Sequence, residues 1–175
     1  MSKYTDEGHF RAVFGTKLGI YGIESQPIES GSTARGIPDL YYSSLSVDIR
    51  GWVELKNEDH LPKRGPYRVK YRPGQYSWLT RYVKQGTSCT LAVAFEEGIV
   101  FFTDTDIAKE YTLDRLIAHM VNVDRDIVPI FIKSVKEGVN SAKIYASSAL
   151  KFGEPVVLGC PGTAGAPPAP CSSTC

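Results

Sequence analysis

The chain has 175 residues, of which 42% are hydrophobic and 22% charged, and its net charge is +1. This length fits a single domain with its own core, and the absence of about eighteen consecutive apolar residues excludes an obvious membrane span. The opening residues MSKYTDEGHF lack the apolar centre of a secretion signal, and three of the four cysteines lie in the last sixteen residues, which is no disulfide framework. We therefore expect a cytoplasmic protein, in the bacterial host cytoplasm if the chain is phage-encoded.

The first half of the chain is expected to contain one helix and three strands. Apolar residues at helical spacing predict a helix over residues 3–18, and residues 20–28 are typical of an irregular edge strand. Two apolar segments, 37–42 and 49–56, predict strands that a polar connection joins as a hairpin. The long polar stretch 57–72 predicts a loop, and loops of this length are uncommon in compact domains unless they are functional.

The second half continues as helix, two strands and helix. A helix is predicted after Pro73, strands over 88–95 and 99–103, and a helix from about 104 to 121. Five apolar residues of that last helix are expected to face inward: Ile107, Leu113, Leu116, Ile117 and Met120. The order α-β-β-β-α-β-β-α predicts an α/β (α+β) protein with a mixed sheet flanked by helices.

The chain is expected to divide into three parts. Residues 1–126 form the main domain, and residues 127–158 form a C-terminal extension packed on or near the core, built as a strand and helix or as a hairpin. Residues 159–175, with the sequence GCPGTAGAPPAPCSSTC, cannot bury enough apolar surface to offset their ordering entropy. We expect this tail to be disordered.

The charge is unevenly distributed. Residues 61–86 contain seven Lys or Arg and no acidic residue, so the rest of the chain has a net charge of −6. A basic block in an otherwise acidic protein is a candidate polyanion-binding surface, although a solvated loop and helix face would have the same composition.

Three charged residues fall on the two predicted hairpin strands. Asp39 lies in the first strand, and Glu54 and Lys56 lie near the end of the second, on one face and roughly 7 Å apart. Trp52 shares that face. Hard cations such as Mg²⁺ prefer oxygen ligands, which Asp39, Glu54 and the backbone carbonyl of Leu55 supply.

Such a cation lowers the pKa of a bound water and offsets charge that develops on a phosphate. Lys56 beside it is placed to orient or help deprotonate the water and to stabilise negative charge. Pro-Asp alone is a common turn dipeptide and Glu-x-Lys is common on exposed strands. Their combination at this spacing points to phosphodiester cleavage, because burying three charged groups is costly unless they pair or bind metal.

This pattern resembles the PD-(D/E)xK nuclease superfamily, and more narrowly its virus-type replication-repair (VRR-NUC) domain. The matching segments are Gly36-Ile-Pro-Asp-Leu40, Glu54-Leu-Lys56 and Gln75 at the start of the next helix. The resemblance implies a restriction-endonuclease-like α-β-β-β-α-β core and a Mg²⁺-dependent nuclease, with Mn²⁺ as a possible substitute. It also implies that Asp39, Glu54 and Lys56 form the core site, that Gln75 is accessory, and that Glu7 completes the metal ligands.

The chain departs from the family pattern in the long basic insertion between Lys56 and Gln75. This insertion would place five cations beside the site, and Tyr67 and Tyr71 are interleaved with them. Basic and aromatic residues together suit phosphate neutralisation and stacking on unpaired bases. The predicted DNA-binding residues are Lys63, Arg64, Arg68, Lys70 and Arg72.

The resulting hypothesis is a metal-dependent DNA endonuclease in phage or bacterial replication, repair or branch processing, with a homodimer as one option for its assembly. By analogy with the superfamily, its product would carry a 5′-phosphate. One alternative is a Holliday junction resolvase or homing-type endonuclease, and another is an inactive nucleic-acid-binding module. A small phage assembly protein with an accidental motif is the third, and the basic insertion argues against it.

Overall fold

The computed structural model describes residues 4–28, 36–122 and 126–138. Its elements are α1 (Glu7–Ile20), β1 (Glu24–Pro27), β2 (Leu40–Ser44), β3 (Ile49–Asn57), β4 (Tyr67–Arg68), α2 (Gln75–Lys84), β5 (Cys89–Ala94), β6 (Ile99–Thr103), a 3₁₀ turn (Asp104–Asp106), β7 (Glu110–Tyr111), α3 (Leu113–His119) and α4 (127–138). The predicted disordered tail, and the extension from residue 139 onward, lie outside the described residues. No helix within the described ranges is long and apolar enough to cross a membrane.

A five-stranded mixed sheet in the order β1-β2-β3-β5-β6 organises the fold. Strands β3 and β5 run parallel because α2 crosses over between them, and the other neighbouring pairs are antiparallel. A separate two-stranded sheet pairs β4 with β7. This architecture confirms the predicted mixed α/β class, and it adds two short strands, β4 and β7, that the sequence pattern did not predict.

Each face of the main sheet carries its own hydrophobic core. On the first face, α1 and α4 pack over Val53 and Leu55 of β3, and Phe14 of α1 meets Phe131 of α4 edge-on at 5.3 Å between ring centroids. On the second face, α2 and α3 cover β5 and β6 together with the β4–β7 pair. Because side chains alternate along β3, this strand contributes to both cores.

The predicted helix over 104–121 is wrong. Asp104 has a left-handed backbone (φ 51°), which no helix can continue through, and its Oδ1 accepts a hydrogen bond from the Cys89 backbone N–H at 2.9 Å. The chain then forms β7, and Thr112 caps the short helix α3 by accepting a hydrogen bond from the Arg115 N–H. Ile117, expected to face inward, is 56% exposed.

Two other predicted boundaries differ from the structure. Helix α1 begins at Glu7 rather than residue 3, because the Asp6 carboxylate accepts the His9 N–H at 2.7 Å and caps the helix there. The predicted loop 57–72 contains β4, which Tyr67 anchors by packing edge-on against Phe95. Local caps and long-range pairing, rather than apolar periodicity, set these boundaries.

Gly51 lies in β3 where no side chain fits. A Cβ at Gly51 would stand 2.3 Å from the Ser88 carbonyl oxygen, whereas one at Gly19 in α1 would meet nothing within 4 Å. We predict that Gly51→Ala lowers the free energy of unfolding by about 1–3 kcal/mol or more, because β3 and β5 must separate. Gly19→Ala, the matched control, should raise it by up to about 1 kcal/mol. Urea denaturation measures both, and equal stability of the two variants would contradict the packing.

Candidate active site

Asp39 and Glu54 meet on the second face of the sheet, where β2 begins. The register pairs Leu40 of β2 with Val53 of β3. One residue outward from that pair, Asp39 lies beside Glu54, and their side chains share a face because strand residues alternate. Tyr41 packs edge-on against Trp52 on the same face, at 5.0 Å between ring centroids.

Asp39 is fixed by the backbone of β3. Its side chain is 7% exposed, and its Oδ2 accepts a hydrogen bond from the Leu55 N–H at 2.9 Å. The N–H and C=O of one strand residue point to the same edge. The Leu55 carbonyl is therefore directed to the edge of β3 at which Asp39 lies, as the predicted ligand set requires.

Glu54 and Lys56 form a buried ion pair. Lys56 Nζ lies 2.7 Å from Glu54 Oε1, and the two side chains are 2% and 0% exposed. The second oxygen, Glu54 Oε2, is buried and has no hydrogen-bond partner among the described residues. With Asp39 alongside, two carboxyl groups share one neighbouring ammonium, and one Glu54 oxygen has no donor among the described residues. A hard cation fits this donor set.

The environment shifts the pKa values of both members of the pair. Burial raises the pKa of Glu54 to about 8, the nearby Asp39 carboxylate adds to the rise, and Lys56 opposes it. Burial acts to lower the pKa of Lys56, but the carboxylates of Glu54, Glu7 and Asp39 outweigh it and the pKa is raised. Lys56 is therefore an ammonium at neutral pH.

Glu7 links this ion pair to Arg72, which lies in the basic insertion. Its Oε1 lies 3.4 Å from Lys56 Nζ, and its Oε2 lies 3.4 Å from Arg72 Nη2. Within the described ranges, no three His, Cys, Asp or Glu side chains are arranged to hold a metal ion. The role of Glu7 as a metal ligand thus stays a prediction, and the contacts it does make are with the two cations.

Gln75 lies where the segment before Asp39 meets the start of α2. It is buried at the start of α2, and its Oε1 accepts the Arg72 N–H at 2.7 Å. Gly74 before it packs against Gly36, where both backbones are left-handed, and a Cβ at Gly36 would stand 2.6 Å from the Gly74 carbonyl carbon. This contact holds the segment that leads to Asp39 against the helix that begins at Gln75.

The basic insertion is partly neutralised. Lys70 pairs with Glu58 at 2.7 Å and Arg68 with Glu110 at 3.6 Å. Together with Arg72, which contacts Glu7, these are three of the five predicted DNA-binding residues. Lys63 and Arg64 are exposed and pair with no acidic side chain of the described segments.

An aromatic row beside the carboxylates was not predicted as a unit. Trp52 lies edge-on to both Tyr41 and Trp78, and Trp78 stacks on Tyr82 at 3.7 Å between ring centroids. The sequence did contain a signal for the β2–β3 part of this row. Tyr41 and Trp52 are each two residues from a predicted site carboxylate, and residues at that spacing in a strand share a face. The α2 part of the row required the tertiary contact between the helix and β3.

No protein-family model matches the chain, and no curated protein matches its sequence. Among solved structures, the fold is similar to that of Hjc, a Holliday junction resolvase from the archaeal hyperthermophile Archaeoglobus fulgidus. The sequences are 12% identical, the TM-score is 0.48, and the match covers 67% of this chain and 91% of Hjc.

The raised pKa of Glu54 makes folding stability depend on pH. The folded chain holds a proton on Glu54 from about pH 4.5 to about pH 8 that the unfolded chain releases, so stability falls as pH rises through this window. Glu54→Gln has no such proton. Between these two pH values, we predict that the free energy of unfolding of Glu54→Gln, relative to that of wild type, rises by up to about 1.4 kcal/mol per pH unit.

Urea denaturation at several pH values measures this difference. The control is Glu110→Gln, which changes an exposed glutamate and should track wild type apart from a constant offset. Parallel stability curves for wild type and Glu54→Gln would show that Glu54 is not held protonated by its surroundings.

Proposed function

We propose that this chain is a metal-dependent endonuclease that hydrolyses phosphodiester bonds in DNA. The observation that carries the proposal is the environment of Glu54: one oxygen faces Lys56, the other is buried with no hydrogen-bond partner among the described residues, and Asp39 lies alongside. A buried carboxyl oxygen without a partner costs stability, and functional sites are where such costs are found.

Asp39, Glu54 and the Leu55 carbonyl would hold Mg²⁺, with Mn²⁺ as a substitute. When bound, such a cation supplies a water of lowered pKa and offsets negative charge on the scissile phosphate. The Leu55 N–H orients Asp39 by a 2.9 Å hydrogen bond to its Oδ2, which holds the carboxylate in place. Rigid strands position both carboxylates before any ligand arrives.

Lys56 would act as a fixed positive charge. Its raised pKa keeps the ammonium protonated, which makes it a poor general base at neutral pH but a good stabiliser of charge on a phosphate oxygen. The contact with Glu7 holds its side chain from the other side. Gln75 would hold Arg72 next to the site, because its Oε1 accepts a hydrogen bond from the Arg72 N–H.

The basic insertion supports DNA as the substrate. Lys63 and Arg64 are exposed, and the cationic heads of Arg68, Lys70 and Arg72 remain largely in water despite their acidic partners. Exposed ion pairs contribute only about 0–1 kcal/mol, so these cations can exchange a carboxylate for a DNA phosphate at little cost. Each phosphate contact releases counterions, which favours binding at low salt.

Within this proposal, the chain is a VRR-NUC-type enzyme of phage or bacterial DNA replication, repair or branch processing. Junction-resolving and homing-type activities keep the same chemistry and differ in substrate. An inactive binding module would usually have lost one of Asp39, Glu54 and Lys56, and all three are present and assembled here.

The test is cleavage of supercoiled plasmid and of labelled single-stranded, flapped, four-way and blunt duplex DNA, each with Mg²⁺ or EDTA. Asp39→Asn and Lys56→Met should each lower the rate by roughly 10²–10³-fold, because the first weakens the proposed cation site and the second removes the positive charge beside the reacting phosphate. Lys136→Met, a change of an exposed lysine on α4, should cut like wild type.

The outcomes separate the alternatives. Metal-dependent cutting that both site variants lose supports the proposal, and the preferred substrate distinguishes junction resolution from flap or duplex cleavage. Binding without cutting under every metal would instead identify an inactive module. If the protein neither binds nor cuts DNA, both the nuclease and the binding module are overturned.

A further inference from the structure

Half of the second sheet face is not covered by described residues. Helices α2 and α3 pack over β3, β5 and β6, whereas the same face of β1 and β2 carries exposed or half-buried side chains. Tyr41 and Trp52 are both half-buried at the boundary between the covered and open halves, and Arg50 is exposed just beyond them. The open half begins directly at Asp39 and Glu54.

The strand register arranges this surface in three rows. The first row holds the carboxylates of Asp39 and Glu54. The second row, two residues along, aligns Gln26, Tyr41 and Trp52, and the third aligns Glu24, Ser43 and Arg50. Successive rows are roughly 7 Å apart, because a strand rises about 3.3 Å per residue.

We propose that this open face binds an unpaired segment of the DNA strand next to the scissile phosphate. One base stacks on the Tyr41–Trp52 pair, and Arg50 neutralises a phosphate further along the same strand. This inference rests on the proposed nuclease function and adds the substrate class: DNA with single-stranded nucleotides beside the cleavage point. We name the surface formed by Tyr41, Trp52 and Arg50 the strand shelf.

The chemistry of the strand shelf favours nucleic acid over an apolar partner. Its two rings are already held edge-on at 5.0 Å, so little ordering is lost when a base packs against them. Trp78 of α2 contacts Trp52 edge-on and stacks on Tyr82. Arg81 lies over the Tyr82 ring at 5.5 Å and adds positive charge to the same side. Aromatic faces next to cations are the usual way to hold a single strand.

The same surface disfavours continuous duplex. Bases in a duplex are stacked on each other and cannot pack against rings held on a sheet surface, so a base must leave its stack first. Glu24 lies at the outer end of the third row, and its charge repels a phosphate at that edge. The strand is therefore confined to the side of β2 and β3, in line with the carboxylates.

Binding in EDTA tests the strand shelf without cleavage. Fluorescence anisotropy compares wild type with Tyr41→Leu, Trp52→Leu and Arg50→Gln on single-stranded, flapped and blunt duplex oligonucleotides. Each aromatic variant should bind the single-stranded and flapped probes about tenfold more weakly, with little change for blunt duplex. Arg50→Gln should lower the slope of log affinity against log salt by about one.

Matched controls change similar residues elsewhere. Tyr21→Leu replaces an exposed tyrosine at the end of α1, and Lys136→Gln replaces an exposed cation on α4, which packs on the opposite face. Both should bind like wild type. Tyr41→Phe keeps a stacking face and should also retain affinity, which separates stacking from the hydroxyl. If Trp52→Leu fails to fold, Tyr41→Leu and Arg50→Gln still decide the question.

The chain contains two tryptophans, Trp52 and Trp78, so its fluorescence reports on the strand shelf itself. Quenching by a single-stranded probe, lost in Trp52→Leu, supports the inference. Equal affinity of wild type and all three variants for unpaired DNA would overturn it, even if metal-dependent cutting is observed. Conversely, the three variants could weaken binding while wild type cuts no DNA with any metal. That result would support the strand shelf and overturn the proposed nuclease activity.

Discussion

The buried ion pair between Glu54 and Lys56 is the interaction on which the rest of this structure depends. Two ionisable groups lie in the middle of a sheet, between two hydrophobic cores. One Glu54 oxygen lies 2.7 Å from Lys56 Nζ, and the other has no hydrogen-bond partner in the described part of the chain. Ion pairs in such places seldom add stability, since desolvation offsets most of the attraction. Holding Asp39, Glu54 and Lys56 together therefore lowers the stability of the fold. This is expected of a site in which a bound ligand supplies the contact that Glu54 lacks.

Close backbone contacts put the other parts of the site in place. Gly36 and Gly74 approach each other more closely than any residue with a Cβ would allow, which brings the segment before Asp39 against the start of α2. Glu7, at the start of α1, contacts both Lys56 and Arg72 and so ties α1 to the same site. Three separate elements thus converge on one pocket, while the open half of the sheet leaves an approach to it along β2 and β3.

Local pattern predicted most of this architecture, and long-range contacts explain what it missed. Alternation along β3 correctly placed Glu54, Lys56 and Trp52 on one face, because a strand has a fixed period of two. The helix expected over 104–121 failed because Asp104 turns left-handed to bind the Cys89 amide, a contact that no periodicity reveals. For the same reason, the ion pairs of Lys70 and Arg68 and the open sheet face depend on tertiary packing that the sequence pattern does not contain.

The most direct test of the central claim is calorimetric titration of the protein with Mn²⁺ at pH 7, in buffers of different ionisation enthalpy. Because the pKa of Glu54 is raised to about 8, a cation that binds there must displace its proton. The account predicts one site, release of roughly one proton per ion, and loss of binding in Asp39→Asn and Glu54→Gln. Binding that both variants retain, or no binding by the wild-type chain, would contradict it.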